Sequence, residues 1–228
     1  MPTPMLIEYY NRLPQLTPGD DEDLWTAGVH DGMREFRDHV VARYSEGSLQ
    51  RLLTFADVTT RRAAVLALGF IGTMESNAAV AACLVDGDLL VQRFSADALW
   101  EIWFRAGSED QNFKLQQALC QPDAERVRSA LDDLIKSAPT FAEPFNQRAI
   151  VHFRRGEFAR SVEDCEAVLR MNPYHYGAAS GMGQCFLRMK KPRAALRAFR
   201  QALEINPNLD NLRETIQALM EALGRDES

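Results

Sequence analysis

Four histidines, four cysteines and three tryptophans are the side chains in this sequence best suited to chemistry. In HDGMREFRDH, His30 and His39 stand nine positions apart among Asp31, Glu35 and Asp38. A helical zinc site wants two histidines four apart around a glutamate. At about 100° per residue, His30 and His39 fall on opposite faces instead. The segment reads as a solvated acidic face, and no metal site is expected. SGMGQ, Ser180 to Gln184, holds a lone G-x-G with no strand ahead of it, which is weak evidence for a phosphate cradle. Cys165 and His152 are the candidates for a nucleophile–base pair, but both fall where a helix must pack. There is no G-x-S-x-G nucleophile elbow. Trp100 and Trp103 share a helix that needs packing, so core or groove edge is their expected place. No catalytic residue, metal or cofactor is assigned.

The four cysteines, Cys83, Cys120, Cys165 and Cys185, form no C-x-x-C pair, and each lies in an apolar stretch. They are expected to be reduced core thiols. The 228-residue chain is 46% hydrophobic and 25% charged, with net charge −6. That composition suits a globular protein of one large or two modest domains, and the acidic balance argues against nucleic acid. The start, MPTPMLIEYYNRLPQLTPGDD, has neither basic flank nor long apolar core, so no signal peptide is expected. The longest apolar run, AAVLALGFIG, falls well short of the roughly 20 residues of a membrane span. A cytoplasmic protein that binds no membrane is expected.

What positions these side chains is a repeat. CEAVLRMNPYH and RQALEINPNLD both close an apolar helical run with Asn-Pro, and Pro173 and Pro207 are 34 positions apart. Sliding Ala142–Pro173 onto Tyr176–Pro207 sets Ala149 on Gly183, Ser161 on Ala195, Cys165 on Phe199 and Leu169 on Leu203. Small residues meet small ones and bulky ones meet bulky ones. Helical spacing within each half, a glycine at Gly156 where a left-handed C-cap is wanted and a proline that ends the second helix together describe one helical hairpin per period. In the second unit Lys190-Lys191-Pro192 takes the place of the Gly156 turn. These residues resemble tetratricopeptide repeats, whose eighth, twentieth and twenty-seventh places are small and whose thirty-second is proline. Gly183, Ala195, Ala202 and Pro207 meet all four, and in the first unit only Val168 departs. NLRETIQALMEAL then reads as a capping helix, with Leu212, Ile216, Leu219, Met220 and Leu223 on one face.

The amino-terminal half repeats at 31. Leu49–Gly72 laid on Val80–Trp103 pairs Asp57 with Asp88, Arg62 with Arg93, Leu68 with Leu99 and Ile71 with Ile102. This is similar to short HEAT repeats, and the resemblance implies that these Asp and Arg residues tie neighbouring units together. Asp123 and Arg128 keep the same five-residue step, while Pro139 lies 34 before Pro173, so Ser108–Pro139 reads as a transitional hairpin. Upstream, Trp25, Val29, Met33, Phe36, Val40 and Tyr44 form the apolar stripe of a long helix, and Asp20, Asp21, Glu22 and Asp23 suit its positive end. The expected fold is all-α: a right-handed α-solenoid, HEAT-like and then tetratricopeptide-like. Its expected divisions are 1–19 (tail or short helix), 20–107 (HEAT-like), 108–141 (transitional) and 142–228 (two tetratricopeptide units and a cap).

The resemblance implies that the first helix of each pair lines a groove. By register that groove offers Asn146, Gln147, Ile150, Phe153 and Arg154 from one unit. The next adds Ser180, Gln184, Leu187 and Arg188, with Gly181 leaving a dent. Amide, arginine and apolar groups suit an extended peptide or a partner helix. Some members of the family clamp a C-terminal carboxylate with lysines and asparagines; the corresponding places here hold Asn112, Gln116, Gln147, Gly177 and Gly181, so that clamp is not implied. The expected function is a non-enzymatic scaffold or adaptor that binds another protein. The alternatives are an accessory subunit or lyase-like HEAT protein that assists an enzyme or binds a tetrapyrrole pigment, and self-assembly as a homodimer.

Overall fold

A computed structural model describes residues 5–14 and 22–226. Asp20 and Asp21 lie outside the described residues, as do the side chains of Glu22, Asp23 and Trp25. The described residues form α-helices joined by short turns, with no strand among them. No described helix is long and apolar enough to cross a membrane. The chain divides into two compact units, Met1–Ile102 and Trp103–Ser228.

The first unit comprises α1 (Met5–Tyr10), α2 (Glu22–Arg43), α3 (Glu46–Leu52), α4 (Val58–Ile71), α5 (Asn77–Ala82) and most of α6 (Leu89–Phe104). Phe36 and Val40 of the α2 stripe are buried, whereas Val29, Met33 and Tyr44 are half-buried. The two residues paired by the 31-step, Asp57 and Asp88, perform the same task. Asp57 accepts the Thr60 N–H at 2.7 Å and caps α4, and Asp88 accepts the Val91 N–H at 3.0 Å at the start of α6. Each satisfies an orphan donor of a first helical turn. Asp88 also receives Arg62 through two nitrogens, at 2.8 and 2.5 Å, while Arg61 reaches Asp86 from the previous turn of chain at 2.8 and 3.0 Å. Arg93, the register mate of Arg62, is exposed. Ala63, Ala64, Ala67 and Ala98 are buried with Leu68 and Leu99, and a Cβ at Gly69 of α4 would meet Ala98 of α6 at 3.5 Å.

The second unit stacks hairpins in chain order: α7 (Glu109–Leu119) on α8 (Ala124–Ser137), α9 (Ala142–Arg154) on α10 (Phe158–Met171), α11 (Tyr176–Arg188) on α12 (Pro192–Ile205), then α13 (Asp210–Asp226). The Asn-Pro punctuation holds: α10 ends at Met171 with Asn172 as C-cap, and α12 ends at Ile205 with Asn206 as C-cap. Gly156 has φ +76°, and Lys190, 34 residues on, has φ +56°. Both are left-handed turn residues, a conformation cheap for glycine and costly for lysine. Gly183 is where α11 and α12 meet. A Cβ there would lie 2.5 Å from the Phe199 ring, so a glycine is what lets that phenylalanine into the core.

Two sequence expectations need correction. Cys83, Cys165 and Cys185 are buried, but Cys120 is exposed, because it is the C-cap of α7 and not part of its packed face. On α13, Leu212 is buried and Ile216 and Leu219 pack on the Ala195–Phe199 cluster. Met220 is 46% exposed and stands outside that cluster.

Candidate functional site

The residues expected to line a groove separate into three groups. Ser180 and Gln184, one turn apart on α11, open into a trough of about 480 Å³ whose other wall is Asn208 to Leu212, the entry to α13. Its volume is in the range of ordinary ligand clefts. Ile150, Arg154 and Arg188 are exposed and available for contact, the two arginines in the last turns of α9 and α11.

The second group is turned inward. Phe153 packs edge-on against Phe158, ring centroids 5.5 Å apart, so the aromatic after the Gly156 turn locks the hairpin. Leu187 belongs to the Phe199 cluster. Gly181 faces α10: a Cβ there would meet Cys165 Sγ at 3.7 Å.

The third group is tied to a buried carboxylate. Asn146 is only 4% exposed, and its Nδ2 donates to Glu143 Oε1 at 2.9 Å. Gln147 Nε2 donates to the same oxygen at 2.6 Å. The other Glu143 oxygen lies 3.2 Å from Nε2 of His175, and both of those side chains are fully buried. His175 Nδ1 accepts the Ala178 N–H at 3.0 Å and so caps α11. With Nδ1 committed as acceptor, Nε2 carries the proton that reaches Glu143. Trp103, also in the second unit, stacks on the His175 ring at 4.1 Å. A buried carboxylate is tolerated only with partners of this kind, so Asn146 and Gln147 hold the face in shape by way of Glu143. Sequence reasoning gave Glu143 and His175 no role, because they sit on different repeats and match nothing at the 34-step.

His152 and Cys165 do not form a nucleophile–base pair. His152 is engaged elsewhere: Nδ1 lies 2.6 Å from Glu157 Oε2, and Nε2 lies 3.8 Å from Asp164 Oδ2. Burial pushes the Cys165 thiol up to about 12 and the Cys83 thiol up to about 11, which suppresses the thiolate that reactivity requires.

Asp164 belongs to a ring of charged and polar side chains. Arg148 grips it with two nitrogens at 2.9 and 2.6 Å and reaches Asp132 of α8 at 2.7 Å. Asp132 meets Arg128, which pairs with Glu125; Glu125 meets Arg155 at 2.6 Å, and Arg155 meets Glu157 at 3.0 Å. Through His152 the path returns to Asp164.

Residues 178–209 match the family model of the tetratricopeptide repeat. The match spans one repeat length, most of α11 and the whole of α12. A TPR repeat-containing protein of Rhizobium etli is 33% identical over 124 residues, covering 53% of this chain and 61% of that protein. Small glutamine-rich tetratricopeptide repeat-containing protein 2 of Saccharomyces cerevisiae is 27% identical over 113 residues, 50% of this chain and 32% of its own length. The chain thus spans less than two thirds of either relative. Among solved structures, the first TPR of Spaghetti (RPAP3), bound to the HSP90 peptide SRMEEVD, aligns at 21% identity and TM-score 0.43, over 51% of this chain and 89% of that one. The N-terminal domain of stress-induced protein-1 from C. elegans aligns at 22% identity and TM-score 0.45, over 49% and 92%.

Proposed function

We propose that the second unit is a non-catalytic docking module that holds an extended segment of another protein along the face of α9, α11 and α13. Tetratricopeptide repeats serve as protein-interaction scaffolds, and the matched repeat includes most of α11 and the whole of α12. The observation that carries the proposal is the trough at Ser180 and Gln184, open to solvent and walled by the start of the next first helix. Around it Gln147, Ile150, Arg154 and Arg188 are the contacts we assign, with Asn146, Phe153 and Leu187 as support. Affinity would come from a face already in shape, not from ordering on contact. We further read the first unit as HEAT-like, on the matched Asp57 and Asp88 caps and the Arg62–Asp88 bridge.

Site-directed photo-crosslinking tests the docking face. A crosslinker at Gln184 or Arg154 should trap the partner in cells. One at Glu163 or Arg197, exposed register mates on α10 and α12, should not. Equal trapping from all four positions, or from the second pair alone, would remove the assignment.

A further inference from the structure

The α11–α13 trough has a charge character of its own. Ser180, Gln184, Asn208 and Asn211 are neutral, and Asp210 is the one acidic side chain among its lining residues. Glu214 follows four positions later, one turn along α13 and on the same side. Both carboxylates are exposed. Among the described residues neither has an ion-pair partner, unlike Asp86, Asp88, Asp132, Asp164 and Glu157. The neighbouring Arg213 is directed elsewhere, its Nη2 donating to the Pro207 carbonyl at 2.5 Å. Glu214, Arg154 and Arg188 are not themselves lining residues, and Arg188 stands one turn beyond Gln184 at the end of α11. Across the trough, the α11 side is formed by the small Ser180 and by Gln184.

We propose that this trough takes a basic segment of a partner protein, in extended form, with a lysine or arginine set against Asp210 and Glu214. The proposal rests on the docking face described above and names the chemistry of its occupant. Side-chain amides and a hydroxyl supply both donors and acceptors to a peptide main chain. The two carboxylates supply only acceptors, and a cationic side chain satisfies both at once. An acidic segment or a free C-terminal carboxylate meets like charge there and is disfavoured.

Selection of a random linear peptide library on the full chain, followed by fluorescence anisotropy of the labelled winners, tests this. Enriched peptides should carry lysine or arginine, and their affinity should weaken with rising salt. The double variant Asp210→Asn/Glu214→Gln, unchanged in helicity by circular dichroism, should bind them about tenfold more weakly. Neutral or acidic winners, or basic winners indifferent to the double variant, would overturn the charge assignment. Gln184→Trp, which fills the trough from an exposed position, separates the two levels. Peptides that bind this variant undiminished would overturn the docking face itself. Loss on Gln184→Trp with no change on the carboxylate variant would overturn only the basic partner. A library that yields no binder would overturn both.

Discussion

The hairpins α9–α10 and α11–α12 share a backbone plan, a 34-residue register and an apolar cluster, yet the first carries a charge circuit at places the second leaves apolar. Where the first places Arg148, His152 and Asp164, the second places Met182, Phe186 and Ala198. Both hairpins feed one apolar cluster, in which Ala149, Val162, Cys165 and Val168 join Ala178, Met182, Cys185 and Ala198, and the first adds a charge circuit where the second adds Met182 and Ala198 to that cluster. The close approach also differs. Ala149 is set beside Cys165 in register with Gly183 beside Phe199, a medium pair exchanged for a smallest-and-largest pair. A helical hairpin evidently constrains the sum of its contacts and leaves their kind free. The charged version is the more brittle of the two, since a buried ion deprived of its partner costs far more than a lost methylene.

The largest predicted effect follows from that asymmetry. Arg148→Ala should cost about 3 kcal/mol in urea unfolding, because Asp164, itself 5% exposed, loses its two-pronged partner. Importing the second hairpin's pair as Arg148→Met/Asp164→Ala should recover most of the loss. If the double variant were no better than the single, the two chemistries would not be interchangeable. Next comes Gly183→Ala, expected to cost about 2 kcal/mol as the Phe199 ring is displaced. Smaller effects belong to the turns. Gly156→Ala should lose about 1 kcal/mol and Lys190→Gly should gain somewhat less, since both positions hold positive φ. A matching melting-temperature shift of opposite sign would check that pair.

Acid should discriminate the hairpins most gently. Hydrogen bonds from Arg155, then from His152, hold the Glu157 carboxyl down to about 2, and Arg62 holds Asp88 of the first unit down to about 2. A folded value below the unfolded one means stability that is present above the ordinary carboxylate range and is lost as pH falls toward 2. Carboxyl resonances of both residues should titrate there, and amides of α9–α10 should begin to exchange in acid before those of α11–α12. Arg62→Gln should raise the Asp88 carboxyl toward the ordinary aspartate range, with the Val91 and Leu90 N–H bonds still holding it below.

Much of the fold was legible because repetition advertises itself. Pro173, Pro207, Gly156 and Gly183 each announced a stop, a turn or a close approach, and each does that work. The buried carboxylate and the charge circuit were not legible for the same reason. Glu143, His175, Asp132 and Arg148 are departures from the repeat, and each alone looks like an exposed residue on an amphipathic helix. Only packing brings them together across helices. The trough was half visible: Ser180 and Gln184 came from register, but Asp210 and Asn211 required α13 to be taken as another first helix and not merely as a cap. Cys120 misled because an apolar run can overshoot its helix by one residue.

The circuit from Glu125 back to itself has one more consequence. It draws on α8, α9 and α10 together, and its inner members, Arg148, Asp164 and His152, are the well-shielded ones, whereas the Glu125–Arg155 link is open to water and contributes little. Peeling any one of these helices away would strand charge on the other two. The three should therefore open as a single cooperative block, with one shared exchange free energy, while α13 at the margin frays independently.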